Sequence, residues 1–95
     1  MIYVTGSCET QKEITKVLKC LETLQSNDFT HCYISPLNAF SHLRGLYMPL
    51  KTRTNLRLDL LTDCEKLIVV GEIDGFVQAE IDLANKCKME VEYRL

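Results

Sequence analysis

The sequence predicts an α/β domain with helices on both faces of a four-stranded parallel sheet in the order 2-1-3-4. Three observations predict it. Short β-branched runs alternate with longer segments whose apolar residues recur at helical spacing, giving β-α-β-α-β-α-β across the chain. Leu67-Ile68-Val69-Val70 is apolar throughout, as suits a central strand covered on both faces. The connections are long enough for right-handed crossovers between parallel strands.

Ile2-Tyr3-Val4-Thr5 is rich in β-branched and aromatic residues and runs into a turn at Gly6-Ser7. Thr10-Gln11-Lys12-Glu13 fits a capping box, and Ile14, Val17, Leu18, Leu21 and Leu24 then recur with helical period up to Ser26-Asn27-Asp28. His31-Cys32-Tyr33-Ile34-Ser35 reads as a second strand, stopped by Pro36. From Leu37 to Pro49 no period is clear; a connection this long is functional or holds a short helix. Leu56, Leu60, Leu61 and Cys64 mark a second long helix, with Thr52 or Thr54 as its cap. After the apolar strand, Asp74-Gly75 opens a third, with Val77, Ile81 and Ala84 inward. Glu90-Val91-Glu92-Tyr93-Arg94-Leu95 alternates polar and apolar and reads as a half-exposed edge strand. The arrangement is flavodoxin-like (Rossmann-like) less one strand. In such sheets ligands sit outside the carboxyl ends of the strands where strand order switches, here between the first and third.

Ninety-five residues make one domain, residues 1–95, with little margin for a core, and self-association would help it. A formal charge of −2 and scattered Lys and Arg argue against a nucleic-acid partner. The nearest thing to a basic cluster, Lys51, Arg53 and Arg57, reads as a solvated helix start. Cys8, Cys20, Cys32, Cys64 and Cys87 are odd in number and widely spaced, so neither a disulfide framework nor a metal site is expected. They read as reduced thiols acting mostly as small apolar residues, which points to the cytoplasm. Cys8 follows the first strand, but no histidine near it in sequence suggests an activated nucleophile. Met1-Ile2-Tyr3-Val4 does not resemble a secretory leader, and no run is long enough to span a bilayer.

On a helical wheel, Glu80 borders the stripe of Val77, Ile81 and Ala84. It is either an idle boundary residue or a carboxylate aimed into the switch-point hollow. Asp74, six residues earlier, is a helix N-cap or a second acid. Tyr3 and Thr5 share one face of the first strand. Tyr3 either packs under a helix or reaches the site. The Gly6-Ser7 turn offers amides to an anion, and Gly71 is delivered to the same switch point; neither a G-x-G-x-x-G nor a P-loop pattern is present. His42 has no partner set for a catalytic triad.

Ile2-Tyr3-Val4-Thr5-Gly6-Ser7, Cys64 to Gly71, and Asp74-Gly75-Phe76-Val77-Gln78-Ala79-Glu80-Ile81 with Ala84 resemble the nucleoside 2-deoxyribosyltransferases. The likeness is closer still to their small uncharacterised relatives, common in bacterial and phage genomes. It covers both ends of the chain and leaves out residues 41–53. The chain carries Phe76 where the family pattern has glycine, with its own glycine one place earlier at Gly75, and Glu65 where an aspartate usually begins the strand.

The resemblance implies that Glu80 is a nucleophile, that Tyr3 orients it, and that Asp74 supplies or relays the proton for the leaving base. It places Gly6, Ser7, Gly71, Gly75 and Phe76 against the substrate, with Asn38 and Asp59 as further contacts to sugar or base. It further implies a nucleoside or nucleotide as the small-molecule partner, a homo-oligomer whose neighbouring chain completes the pocket, and no cofactor. A carboxylate attacking C1′ of a deoxyribose displaces the base through an oxocarbenium-like transition state and forms a glycosyl ester. Two alternatives stand beside this: a non-catalytic relative that binds a nucleotide-like ligand, in phage–host conflict for instance, and a protein-interaction module using the last strand and the long loop.

Overall fold

The computed structural model describes residues 1–40 and 48–94. Its elements are β1 (Ile2–Gly6), α1 (Gln11–Asn27), β2 (Tyr33–Ile34), α2 (Pro36–Ala39), α3 (Leu50–Thr62), β3 (Lys66–Val70), α4 (Gly75–Lys86) and β4 (Glu90–Arg94). The strands form one parallel sheet in the order β2-β1-β3-β4. This is the predicted flavodoxin-like arrangement. In register, Tyr3 lies beside Ile34 and Leu67, and Thr5 beside Val69.

Side chains alternate across each strand, so the sheet carries two cores. Ile2, Val4, Ile68 and Val70 pack with Val17 and Leu21 of α1. Tyr3, Leu67 and Val69 pack with Leu61 of α3 and Val77, Ile81 and Ala84 of α4. The chain leaves β1 toward one face and β3 toward the other. The switch point is therefore flanked by the turn after Gly6 and the turn from Gly71 to Asp74. No helix among the described residues is long and apolar enough to cross a membrane.

Local chemistry explains most of the element ends. The Thr10 hydroxyl accepts from the Glu13 amide at 3.2 Å, which is half of the expected capping box. The reciprocal half is missing: Glu13 turns inward, one oxygen near Lys16 at 3.5 Å and the other buried without a hydrogen-bond partner among the described residues. Asp74 caps α4 by accepting from the Val77 amide at 2.9 Å. Ser35 caps the short α2, whose Pro36 suits a first helical turn.

Several expectations need correction. The second strand is shorter than predicted, Tyr33–Ile34 only. The stretch after Pro36 does hold a short helix, α2, one of the two alternatives expected of it, while His42 and Tyr47 lie outside the described residues. Neither Thr52 nor Thr54 caps α3; it starts at Pro49 without a side-chain cap, and the Thr54 hydroxyl donates back to the Leu50 carbonyl at 3.0 Å. Of the five cysteines only Cys64 is buried; Cys8 and Cys20 are half-buried, and Cys32 and Cys87 are exposed. The prediction of small apolar residues therefore holds for Cys64 and for Cys20, which packs partly buried against the core under α1.

Gly6 is a packing residue. A Cβ there would lie 2.4 Å from Val17 Cγ2 and 2.5 Å from the Val70 carbonyl oxygen. The absence of a side chain lets α1 sit directly on β1. Gly6→Ala is expected to destabilise the fold by about 1–3 kcal/mol, the usual cost of overpacking. Chemical denaturation checks this, and a change below about 0.5 kcal/mol, the scatter of an ordinary surface substitution, would contradict it.

Candidate functional site

Three elements bring one polar cluster together inside the α3/α4 core. β1 presents Tyr3 and Thr5 on one face because they are two residues apart. α4 presents Glu80 three residues after Val77 and four before Ala84, on the helix's buried side. α3 presents Arg57 four residues before Leu61, which puts the guanidinium on that helix's inward stripe.

Glu80 is not a border residue. It has 0% exposure, as has Tyr3, and Arg57 has 7%. A buried carboxylate is tolerated only when paired and hydrogen-bonded, and every partner is supplied. The Tyr3 hydroxyl donates to Glu80 Oε2 and the Thr5 hydroxyl to Oε1 at 2.7 Å. Arg57 Nε donates to Oε2 at 3.2 Å and Nη2 to Oε1 at 2.9 Å, a bidentate fork. Nη2 also reaches Thr5 Oγ1 at 2.9 Å. The guanidinium carbon lies 4.8 Å from the centre of the Phe76 ring, a cation–π contact.

Asp74 stands at the outer edge of this cluster and ties two loops. Its Oδ1 accepts from the Val77 amide at 2.9 Å and its Oδ2 from the Cys8 amide at 3.2 Å. The carboxylate thus joins the start of α4 to the turn after β1.

The electrostatics follow from burial and these partners. Burial, and then the Glu80 charge beside it, holds the Tyr3 phenol far above its ordinary value of 10.0. Burial pulls the Arg57 guanidinium down, but the adjacent Glu80 charge reverses the balance, so the direction is upward. Burial, followed by the Asp74 charge, raises the Cys8 thiol even though Arg57 works against both. Cys8 is accordingly not an activated thiolate.

The Tyr3 shift has a sign that can be tested. The folded state holds this proton more tightly than the unfolded state, so the contribution to stability is complete below about pH 10 and declines as pH rises further. Alkaline titration followed by tyrosinate absorbance should show Tyr3 ionising only as the fold is lost. Full reversible ionisation of every tyrosine near pH 10, with the fold intact, would contradict the buried pairing.

The remaining expected site residues divide clearly. Tyr3 and Glu80 meet as predicted, but the hollow expected beside them is filled by the Arg57 guanidinium. Phe76 borders the cluster, with a ring face already engaged by Arg57 rather than open to a base. Ser7 is buried, and its hydroxyl accepts from the Glu9 amide at 3.2 Å. Gly71 has φ +71° and ends β3; a Cβ there would lie 2.9 Å from Glu13 Oε2, on the α1 side of the sheet. Gly75 is exposed, with nothing near its Cβ position. Asn38 is an exposed residue of α2. Asp59 is exposed and lies two residues beyond Arg57, about 200° around α3, so it points away from the cluster. An open depression of about 580 Å³ lies beside α1, lined by Lys16, Gly71, Glu72 and Ile73; Glu80 is not part of its lining.

Arg57 is the residue that sequence reasoning misplaced. Its grouping with Lys51 and Arg53 suggested solvent. Its spacing from Leu61 and Cys64, four and seven residues, is the signal that puts it on the buried stripe. Comparison with protein-family models, curated proteins and solved structures finds no match.

Proposed function

We propose that this chain cleaves or transfers the N-glycosidic bond of a nucleoside or nucleotide, with Glu80 as the nucleophile. The observation that carries the proposal is the furnishing of Glu80. Its two oxygens each receive a hydroxyl donor, from Tyr3 and Thr5, near the switch point of a parallel sheet. Those uncharged donors fix the rotamer without neutralising the carboxylate. A positioned anion next to the anomeric carbon stabilises an oxocarbenium-like transition state and closes on it to give a glycosyl ester.

For this to happen Arg57 has to leave the carboxylate. Breaking a buried pair of this kind costs about 3–5 kcal/mol when nothing replaces it. Here the positive charge developing on the sugar replaces it. Asp74 holds the turn beside the cluster, and Phe76 offers a flat apolar wall once Arg57 leaves its face. A neighbouring copy of the chain completing the pocket belongs to the same proposal.

Purified protein incubated with mixed deoxynucleosides and deoxynucleotides is expected to release free bases, detected by chromatography. A second reading, binding of a nucleotide-like ligand without turnover, is favoured by the complete burial of Glu80 and its pairing with Arg57. It is distinguished by thermal stabilisation with these ligands and no released base. Neither release nor stabilisation would remove both readings.

A further inference from the structure

The proposed reaction has a need that the two hydroxyls do not meet. The base departs with the bonding electron pair, and something has to hold that charge. Asp74 is poorly placed to do so by giving up a proton. Both its oxygens already accept backbone N–H groups, at 2.9 Å and 3.2 Å. Arg57 is better placed. It touches both Glu80 oxygens, stacks against Phe76, and is the member of the Tyr3–Glu80–Arg57 group with contact to solvent. A ligand approaching the carboxylate meets the guanidinium first.

We infer that Arg57 is a catalytic residue of the proposed reaction, swinging from Glu80 to the departing base and holding the negative charge that bond cleavage leaves there. The inference rests on the N-glycosidic reading. A Glu80 oxygen forms the bond to C1′ as the C1′–N bond breaks, and the bonding pair stays on the base nitrogen. The base anion, hydrogen-bonded by the guanidinium, takes its proton from water on release. Water or a second base then attacks C1′, returning Glu80 as a carboxylate.

The exchange is matched in charge. Before it, the carboxylate faces the guanidinium. During it, the carboxylate faces the cationic sugar carbon and the guanidinium faces the anionic base. Glu80 keeps one hydroxyl donor on each oxygen throughout. A fixed cation also does work that a titrating acid does only over part of the pH range.

The test compares leaving groups. The substrates are 2′-deoxyuridine or 2′-deoxyadenosine and the analogue of each with a fluorine on the base, which makes the base a better leaving anion. The variants are Arg57→Gln, Arg57→Lys and Asp74→Asn; asparagine preserves the cap on α4. Arg57→Gln is expected to lower kcat for the parent substrate by about 10²–10³-fold, as loss of one charge-stabilising donor does, and for the fluorinated one at least about tenfold less. Asp74→Asn keeps the cap on α4 but loses the bond from the Cys8 amide, so it is expected to lower kcat by the same factor on both substrates, whereas removal of a general acid would cost the parent substrate selectively.

Equal losses on parent and fluorinated substrates in Arg57→Gln would overturn the inference, because a merely structural role moves both alike. So would a selective loss on the parent substrate in Asp74→Asn. Should Arg57→Gln fail to fold, Arg57→Lys is read by the same ratio. The wild-type pH profile adds a check free of mutation: kcat/KM should show no alkaline decline between about pH 6 and 9, and a decline there would assign the leaving group to a titrating acid. Absence of base release by the wild type overturns the N-glycosidic reading and this inference together. Release with equal losses overturns the inference alone.

Discussion

Arg57→Ala lowers the melting temperature by at least about 10 °C. The reasoning begins with burial. Glu80 has no solvent contact, and its carboxylate is balanced by one guanidinium at 2.9 Å. Truncating Arg57 leaves a buried charge with only two hydroxyl donors, and one-sided removal of this kind costs about 3–5 kcal/mol. In a domain of this size each kcal/mol moves the midpoint by about 4–8 °C. That loss is a large share of the roughly 5–15 kcal/mol that holds a small domain together. The double variant Arg57→Met with Glu80→Gln should recover most of it, since removing both charges leaves no orphan. Thermal unfolding of Arg57→Met, Glu80→Gln and the double supplies the cycle. A loss under about 1 kcal/mol in Arg57→Ala, the size expected of an exposed pair, would contradict the buried geometry.

Glu80→Gln is expected to reduce base release by about 10³-fold or more, as loss of a nucleophile does. The amide keeps the shape of the carboxylate; its oxygen accepts from one of the two hydroxyls and its NH2 donates to the oxygen of the other, so the side chain stays in place while its charge goes. The guanidinium then lacks a counter-charge, and the assay belongs well below the variant's own midpoint. Circular dichroism at the assay temperature shows whether the fold persists. Base release within about tenfold of wild type in folded Glu80→Gln would remove Glu80 from the chemistry.

The fold was legible in the sequence because its signals are local and agree with one another. Leu67 to Val70 could hardly be anything but a covered strand, and Val17 and Leu21 fall on one stripe of α1. Strand order followed from alternation and crossover handedness. Glu80 and Tyr3 were legible as a pair only through the likeness of short motifs. From periodicity alone Glu80 sat at the edge of a stripe, because a wheel treats a carboxylate as something to be kept out of the core. Its burial depends on Arg57, 23 residues away in sequence, and no local pattern reports a partner at that distance.

Arg57 was misjudged for the same reason. Neighbouring basic residues suggest a solvated surface, and the spacing from Leu61 and Cys64 outweighs them only because Glu80 pairs with Arg57 in the core. Gly6 is legible as a turn glycine, but its packing role is not, because the Val17 side chain that fills the Cβ position comes from another element. Asp59 failed because two residues along a helix reverse the direction of a side chain.

A covalent intermediate on Glu80 is the observation on which the functional proposal turns. Protein mixed with a deoxynucleoside or deoxynucleotide that it turns over, quenched in acid and digested, should yield the peptide containing Glu80 heavier by one deoxyribosyl group (or its phosphate), seen by mass spectrometry and lost in Glu80→Gln. Base release with that peptide unmodified at every time point, or with the sugar attached to another residue, would contradict it.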